Sequence, residues 1–419
     1  MSQTTKPVKR GRRTVARHGE LKSPHPLAML MKILGIFVAV VLVSGAGVAA
    51  YAAYDLTASF TDDAVDLEGQ DSVPPDIGAI EGGVNMFIAG TDACEPDYAA
   101  YFGDRCTGPD SEGELNDVNM LVHISDAPRR VTVISFPRDL MIPIPSCTNE
   151  DGSETPAMSK QPINTAYSYG GLSCVVKTVA ALSEQPIPFA AKVTWGGVIE
   201  VTNAVGGVDV CLASGIRDYY TGIDWPAGIR NIQGIEALQF LRTRHGVGDG
   251  SDLGRVSNQQ QYMSRLARKL VSEDVLSDPG ALMKLATTAV DNVTPSKSLT
   301  NPLTLVQIAL AVKNVPFEEI VFLQYPVFTD PADPNKVVPN YESAQAIWDA
   351  LAANQPLQLT GDAGSNESVV VVEPETPVEP AVPDPSAPPV QESIALPSDI
   401  TGSTAAQETC SNGNLRDGG

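Results

Sequence analysis

Residues 118–137 read VNMLVHISDAPRRVTVISFP, and this stretch decides the fold class. Its two apolar runs, VNMLVHIS and RRVTVISFP, are rich in β-branched residues and bounded by polar or turn residues, a pattern typical of β-strands. Four further runs have the same character: VNMFIAG (84–90), AAKVTW (190–195), VDVCL (208–212) and EEIVFLQYPV (318–327). The sequence therefore predicts a sheet of several strands.

Helical patterns alternate with these strands, because apolar residues recur at helical spacing between and after them. The segments are SCVVKTVAALS (173–183), WGGVIEVTNAVG (195–206), IQGIEALQFL (232–241), GRVSNQQQYMSRLARKLV (254–271), PGALMKLATTAVDNV (279–293), PLTLVQIALAVKN (302–314) and ESAQAIWDALAAN (342–354). We expect an α/β fold: a single three-layer αβα domain with a central mixed sheet over residues 82–358, after one N-terminal transmembrane helix.

The N-terminal region predicts a membrane anchor. Residues 33–54, ILGIFVAVVLVSGAGVAAYAAY, contain no charge, and one membrane crossing takes roughly 20 residues. The basic segment 1–32 and the acidic linker 55–81 predict a cytoplasmic N-terminus and an extracellular domain, hence a single-pass protein of the cell membrane. A cleaved signal peptide, with a site near residues 47–53, is the competing interpretation. Both interpretations export the domain.

The charge of the exported part excludes one class of partner. The chain has 28 Lys and Arg against 50 Asp and Glu. Eight of the basic residues fall within residues 1–32, beside the single acid Glu20, so the remainder is more acidic than the net charge of −22 suggests. Such a surface repels phosphates at long range, and we expect no nucleic-acid partner.

The C-terminal region has a biased composition. From Gly361 onward it contains ten acidic residues, one arginine and eight prolines. A segment of this kind buries too little apolar surface to fold alone, so we expect residues 359–419 to be a disordered, acidic, Pro-rich tail. A spacer in the cell wall is one interpretation of it, and a partner-binding segment is the other.

Six cysteines fit an oxidising compartment. Two pairs enclose loop-rich stretches, and we predict the disulfides Cys94–Cys106 and Cys147–Cys174. Cys211, in the apolar run VDVCL, is expected to be a small buried hydrophobic residue, and Cys410, in the tail, could be free. Zinc is the rival explanation of the cysteines, but no two of them have C-x-x-C spacing.

Four arginines predict a local anion site: Arg138 directly after VTVISFP, Arg242 and Arg244 in FLRTRH, and Arg255 in GRVSNQQQ. If FLRTRH is extended after the preceding helix, Arg242 and Arg244 point to one face. Arg255 and Gln259 share a face at the start of the next helix, where we expect Asp252 to be the N-cap. Guanidinium groups and a helix N-terminus both favour phosphate. Pairing with surface carboxylates is the alternative role for the arginines.

Three aspartates lie at positions where strands begin or end. Asp92 follows the run VNMFIAG, Asp117 precedes VNMLVHIS, and Asp139 follows Arg138. Carboxylates beside a phosphate need a cation between them, and Mg²⁺ is usually held by one or two carboxylates plus phosphate oxygens. We therefore predict Asp92 and Asp117 as Mg²⁺ ligands, and Asp117 or Asp139 as acceptor of a substrate proton. A loop-capping role is the alternative for each.

Seven motifs, in order, closely resemble the LytR-CpsA-Psr family of bacterial cell-wall proteins over about residues 82–358. They are FIAGTD, LNDVNMLVHIS, VISFPRDLMIPIP, INTAYSYGG, NAVGGVDVCL, IQGIEALQFLRTRH and DLGRVSNQQQYMSRL. The resemblance implies an extracellular α/β domain that binds a polyprenyl-pyrophosphate-linked glycan in an apolar pocket. It also implies transfer of the phosphoglycan to a peptidoglycan sugar hydroxyl, such as the muramic acid 6-hydroxyl, usually with Mg²⁺.

The resemblance assigns roles to individual residues. It implies pyrophosphate binding by Arg138, Arg242, Arg244, Arg255 and Gln259, and Mg²⁺ binding by Asp92 and Asp117. Two departures concern positive charge: Leu115 stands where the family often has Arg two residues before the second aspartate, and no Arg follows GTD, where the cysteine-bracketed insert begins.

Two rival functions use the same residues. A secreted pyrophosphatase would take water as acceptor in place of a sugar hydroxyl. A non-catalytic module would hold a lipid-linked glycan for other enzymes. The missing arginines favour the second rival, whereas the retained aspartates and four arginines favour transfer.

Overall fold

The computed structural model describes residues 61, 64–70, 83–109, 113–149, 151–271, 279–372 and 393–414. All described residues belong to one compact unit, Leu56–Gly419. The predicted basic segment and transmembrane helix lie outside the described residues, as does most of the linker. Within the described part of the chain, no helix combines the length and apolar character that a membrane crossing requires.

The described elements match the predicted alternation. The helices are α1 (Asp104–Thr107), α2 (Gly171–Ser183), α3 (Trp195–Ala204), α4 (Ile235–Arg242), α5 (Asp252–Val271), α6 (Pro279–Asn292), α7 (Pro302–Val312) and α8 (Tyr341–Ala352). The strands up to the end of α3 are β1 (Val84–Thr91), β2 (Asn116–Ile124), β3 (Val131–Phe136), β4 (Met141–Ile144), β5 (Cys147–Thr148), β6 (Glu154–Thr155), β7 (Met158–Pro162) and β8 (Phe189–Thr194). The later strands are β9 (Val208–Leu212), β10 (Ile216–Asp218), β11 (Ile223–Trp225), β12 (Gly228–Ile232), β13 (Val293–Pro295), β14 (Ile320–Gln324), β15 (Val327–Asp330), β16 (Asp333–Pro339), β17 (Leu357–Gln358), β18 (Val369–Val371), β19 (Ile394–Ala395), β20 (Gly402–Thr404) and β21 (Thr409–Ser411).

A seven-stranded mixed sheet forms the centre, in the order β13-β8-β1-β2-β3-β14-β20. Two neighbouring pairs are parallel, β1 with β8 and β3 with β14, and the others are antiparallel. The predicted mixed α/β fold with a central mixed sheet is confirmed. Every residue of β3 and of β14 is buried, as expected for strands covered on both faces.

Successive side chains of a strand enter different cores, because they point to opposite faces of the sheet. Leu121 and Ile134 pack in the core that includes α2 and α8. Met120 and Val133 pack in a second core that includes residues of α5 and α7. Helices therefore cover both faces of the sheet.

Three disulfides link all six cysteines. The predicted pairs Cys94–Cys106 and Cys147–Cys174 are confirmed. The expectations for the other two cysteines are wrong, because Cys211 of β9 is bonded to Cys410 of β21. This pair is 199 residues apart in the chain, and local context carries no signal for a partner at that distance.

The prediction that the folded domain ends at residue 358 is also wrong, because the described residues beyond 358 form part of the fold. β20 extends the central sheet beside β14, and β21 joins β18 and β9 in a second sheet. Leu396 and Ile400 are buried in the core with α2 and α8. The acidic and Pro-rich composition of the whole region obscured these short apolar segments, which gain their stability from strands formed far earlier in the chain.

Candidate functional site

The candidate site lies where strands of the central sheet begin and end. Asn116 at the start of β2 is paired with Thr91 at the end of β1. Asp92 and Asp117 therefore lie at the same end of two neighbouring strands. The amide of Leu115 donates to Asp92 Oδ1 at 2.7 Å, which holds the first carboxylate against the entry to β2.

Arg138 joins this end of the sheet because β3 ends two residues before it. Its Nη1 donates to Asp117 Oδ1 at 3.0 Å. Its Nε lies 3.3 Å from Asp252 Oδ1 and 3.7 Å from Asp139 Oδ2. Burial alone would lower the pKa of Arg138, but the three carboxylates, Asp117 foremost, raise it above the ordinary value. Arg138 thus stays charged in a partly buried position.

Arg255 comes from the first turns of α5. The N-cap of this helix is Ser251, whose hydroxyl accepts from the amide of Gly254 at 3.3 Å, so the prediction of Asp252 as N-cap is wrong. Asp252 lies in the first turn, and its Oδ1 is 2.6 Å from Arg255 Nη2. One carboxylate therefore lies between Arg138 and Arg255.

These ion pairs leave hydrogen-bonding capacity. Arg138 Nε and Arg255 Nη2 contact Asp252 Oδ1 as ion pairs only, and, like Arg255 Nε, they are buried without an aligned hydrogen bond in the described part of the chain. Gln259 is one turn further along α5 and donates to the carbonyl of Leu241 at 3.0 Å. That bond holds α5 beside the end of α4, which carries Arg242.

Arg242, the last residue of α4, is placed by aromatic rings. Its guanidinium carbon lies 4.3 Å from the ring centre of Trp195 and 5.2 Å from that of Phe102. Burial lowers the pKa of Arg242, and the positive charges of Arg255 and Arg138 lower it further, against the opposing effect of Asp117 and Asp92. No ion pair of Arg242 with a carboxylate occurs among the described residues, so an anion would complete its environment.

Arg244 is held separately. Thr243 is extended, with φ −60° and ψ 129°, and Arg244 Nε donates to the carbonyl of Gly250 at 3.1 Å. Its backbone amide donates to Asp218 Oδ2 at 3.0 Å. No ion pair links Arg244 to the other site residues within the described ranges. The predicted shared face of Arg242 and Arg244 stays a prediction.

Asp139 is occupied by cations. The ammonium group of Lys336, in β16, donates a hydrogen bond to Asp139 Oδ1, and Arg138 lies beside Asp139 Oδ2. Both oxygens of Asp139 thus face a cation, whereas Asp117 has one oxygen without a hydrogen bond from the described residues. This geometry favours Asp117 over Asp139 as the acceptor of a proton.

The carboxylates fit a magnesium ion unequally. Asp117 Oδ1 is bonded to Arg138, and Oδ2 accepts no hydrogen bond from the described residues. Both oxygens of Asp92 are engaged, Oδ1 by Leu115 and Oδ2 by Arg105 Nε at 2.9 Å. No cluster of three or more His, Cys, Asp or Glu suited to a metal occurs among the described residues. A cation would therefore need phosphate oxygens as further ligands.

Several residues of the site were missed in the sequence. In the sequence, Asp252 resembles an ordinary helix-capping residue, so its pairing with arginines was not predicted. Lys336 is 197 residues from Asp139 in the chain, so this contact was not predicted either. Arg105, Phe102 and Trp195 approach the site from an insert and from the start of α3. Arg105, in the insert, was the one residue that the sequence could have indicated. The end of β1 and the start of β2 lack the arginines that the family motif often has there.

Comparisons with known proteins agree with the motifs. The LytR_cpsA_psr family model matches residues 49–353. The cell wall biosynthesis protein LcpA of Corynebacterium glutamicum is 26% identical over 311 residues, which cover 70% of this chain and 58% of LcpA. The polyisoprenyl-teichoic acid–peptidoglycan teichoic acid transferase TagV of Bacillus subtilis is 29% identical over 205 residues, 47% of this chain and 49% of TagV. The chain thus spans about half the length of these relatives.

A solved structure has the same fold. The LytR-Csp2A-Psr enzyme from Actinomyces oris superposes with a TM-score of 0.52 and 23% identity, covering 69% of this chain and 95% of that chain. At this identity the likeness concerns the fold alone.

Proposed function

Since the chain belongs to the LytR-CpsA-Psr family, we propose that it transfers a phosphoglycan from a polyprenyl-pyrophosphate carrier to a sugar hydroxyl of peptidoglycan. The reaction attaches a glycopolymer to the cell wall. The observation that carries the proposal is the convergence of Arg138, Arg242 and Arg255 at one end of the sheet, where Arg242 has no carboxylate ion pair among the described residues and the other two share the single carboxylate Asp252. The names of the relatives LcpA and TagV, a cell wall biosynthesis protein and a teichoic acid transferase, support it.

The arginines would bind the pyrophosphate. Guanidinium groups donate several hydrogen bonds in a fixed plane and remain charged when buried. Arg242, held over two rings, has its own positive neighbours and no carboxylate partner in the described structure. A pyrophosphate would relieve the repulsion among these charges, and we place Arg244 and Gln259 at the rim of the same site.

An apolar strip beside the site suits the lipid. Ile88 of β1 and Val118 and Val122 of β2 are only partly buried, on the face of the sheet that contacts Met263 and Ile308. A polyprenyl chain placed there would bury this surface, at roughly 25 cal/mol per Å² of apolar area.

The chemical step is a phosphoryl transfer. The hydroxyl oxygen of the acceptor sugar bonds to the sugar-linked phosphorus, and the bond from that phosphorus to the bridging oxygen breaks. Polyprenyl phosphate leaves with the bridging oxygen, and the hydroxyl proton passes to a base, for which Asp117 is the candidate. The arginines offset the charge that develops on the phosphoryl oxygens.

We also propose Mg²⁺ as cofactor, held by Asp117 and, after exchange of its present partner, by Asp92. When bound, the ion would offset phosphate charge. The carboxylates at adjacent strand ends support this assignment.

For localisation, we propose a single-pass membrane protein with residues 33–54 as anchor and the domain outside the cell. The uncharged run of residues and the three disulfides support this placement.

The testing experiment uses the full chain in detergent with a short-chain polyprenyl-pyrophosphate disaccharide, with and without peptidoglycan fragments. Mass spectrometry follows the products. A phosphodiester between the disaccharide and the fragment, formed only with acceptor, is the expected result. Equal release of sugar phosphate without acceptor would identify a pyrophosphatase, and binding without turnover would identify a carrier module.

Mass spectrometry of lipids that copurify with the protein tests the pocket separately. We expect a polyprenyl lipid with the wild type and none with the double variant Arg242→Ala/Arg244→Ala. A wild type without such a lipid would remove the main support of the transferase proposal.

A further inference from the structure

The insert closed by the Cys94–Cys106 disulfide, here called the clasp loop (residues 94–106), is firmly docked on α3. Glu95 accepts from the Thr194 hydroxyl at 2.9 Å and from the Gly196 amide at 2.7 Å. The hydroxyl of Tyr98 donates to Glu200 at 2.7 Å. The loop is thus bonded to the start and to the middle of α3, so it has a defined position.

Two side chains of the clasp loop reach the anion site. The ring of Phe102 contacts that of Trp195, with centres 4.0 Å apart, and the two rings together hold the guanidinium of Arg242. Arg105, next to the disulfide, pairs with Asp92. The loop therefore contacts one arginine and one carboxylate of the site.

Arg105 is fixed by more than one bond. Its Nε lies 2.9 Å from Asp92 Oδ2, and its Nη2 donates to the carbonyls of Asp92 at 3.1 Å and Gly113 at 2.6 Å. The side chain of Asp92 is 8% exposed and that of Arg105 22%. A carboxylate this deeply buried needs a cation, and Arg105 supplies it.

The guanidinium of Arg105 lies near the positions where the family motif often has an arginine and this chain has none. Leu115 and the start of the insert stand where positive residues are missing, and both are adjacent to Asp92 in the structure. The clasp loop thus brings a guanidinium, from 13 residues further along the chain, to the strand ends that lack one.

We propose that the clasp loop is a working part of the anion site, in which Arg105 and a divalent cation are alternative partners of the Asp92 carboxylate. Without the cation, Arg105 neutralises Asp92, so that the carboxylate does not repel pyrophosphate at the strand ends. When a cation binds Asp92, the guanidinium is released toward the phosphates. The inference deepens the proposed function and rests on it for the identity of the ligand.

The test measures binding of Mn²⁺ alone to the full chain by electron paramagnetic resonance. Since Arg105 competes for Asp92, Arg105→Ala should tighten Mn²⁺ binding about tenfold, within the usual range of coupling between ligands. In EDTA, affinity for geranylgeranyl pyrophosphate, followed by tryptophan fluorescence, should fall about tenfold. Arg105→Lys keeps the charge and should stay within about threefold of the wild type in both assays.

Controls separate competition from general damage. Arg217→Ala removes an arginine that pairs with Asp224 on an exposed hairpin, and should change neither affinity. Adding Asp92→Asn to Arg105→Ala should abolish the gain in Mn²⁺ binding. The double variant Cys94→Ser/Cys106→Ser should shift both affinities in the direction of Arg105→Ala, whereas Cys147→Ser/Cys174→Ser should not.

The inference is overturned if Arg105→Ala, with a native circular dichroism spectrum, binds Mn²⁺ and geranylgeranyl pyrophosphate as the wild type does. Failure of the proposed function has a different signature. In that case the wild type would not bind the prenyl pyrophosphate at all, while the Mn²⁺ gain of Arg105→Ala could still be observed.

Discussion

At the scale of the residue, the site is defined by how its buried charges are partnered. Arg138 and Arg255 share Asp252, whereas Arg242 rests on two aromatic rings without a carboxylate among the described residues. Where aromatic rings take the place of a carboxylate, the positive charge of the arginine stays available to a ligand. This distinction separates the site from the ordinary ion pairs of an acidic protein.

Removal of single guanidinium groups should reduce transfer. Arg244→Ala should lower kcat/KM by about 10- to 100-fold or more, since a hydrogen bond to a charged group contributes about 1.5–3 kcal/mol. The fold should persist, because Asp218 is bonded to the backbone amide of Arg244. Transfer kinetics and thermal unfolding measure the two effects, and full activity would remove Arg244 from the site. Arg242→Ala, with no competing carboxylate to release, should lose at least as much.

His123 predicts how stability depends on pH. Burial lowers its pKa to about 4, and its ring makes one hydrogen bond in the described structure, from Nδ1 to Asn85 Oδ1 at 2.9 Å. Because the unfolded-state pKa is about 6.5, the unfolded chain binds more protons than the folded chain between pH 6.5 and 4. The free energy of unfolding should therefore fall by about 1–2 kcal/mol between pH 6.5 and 5.

Urea unfolding at several pH values tests this prediction. His123→Gln keeps a partner for Asn85 but does not titrate, so its free energy of unfolding should change less over the same window. His245, which is exposed, offers the matched control in His245→Gln. An identical pH slope in the wild type and His123→Gln would contradict the assignment.

At the scale of the element, close approach of the clasp loop to α3 depends on a glycine. A Cβ at position 196 would collide with the Tyr98 ring and with the Glu95 carboxylate. Both groups belong to the contacts that seat the loop. The absence of a side chain at Gly196 therefore permits the position of Phe102 and Arg105.

Gly196→Ala should displace the clasp loop while leaving the sheet intact. We expect reduced affinity for geranylgeranyl pyrophosphate, by about fivefold to tenfold, because Arg242 loses part of its support, worth about 1 kcal/mol for one cation–π contact. Tryptophan fluorescence titration measures the affinity. The double variant Tyr98→Ala/Gly196→Ala removes the colliding ring and should recover part of the loss. An unchanged affinity in Gly196→Ala would show that the loop tolerates the methyl group.

At the scale of the whole molecule, the C-terminal region closes the domain. β20 covers the edge strand β14, and Glu408 forms ion pairs with Arg265 and Arg268 of α5. The Cys211–Cys410 bond ties this region to β9. The helix that carries Arg255 is thus braced by the C-terminal region.

Loss of this disulfide should destabilise the domain. Cys211→Ser/Cys410→Ser should lower the free energy of unfolding by about 2–5 kcal/mol, because the bond closes a long loop of the unfolded chain. Calorimetry under non-reducing conditions measures the change. Cys94→Ser/Cys106→Ser opens a loop of only 12 residues and should cost less. A larger loss for the short loop would contradict this ranking.

The local pattern of the sequence determined the elements and their class. Helices and strands were predictable from 84 to 354 because apolar periodicity is a property of neighbouring residues. The two disulfides with separations of 12 and 27 residues were predictable because their cysteines are near each other in the sequence. Several arginines and aspartates beside predicted elements could be named as candidates in the same way, and their roles stay predictions.

Tertiary structure alone decided which charges became partners. Arg105 reaches Asp92, Lys336 reaches Asp139, and Cys410 reaches Cys211 across up to 199 residues of chain. Such contacts depend on the order of strands in the sheet and on burial, and neither is encoded in a window of neighbouring residues. The sequence by itself therefore determined the elements between residues 84 and 354 and several candidate groups of the site, and the tertiary structure determined how these groups are paired and what the C-terminal region adds.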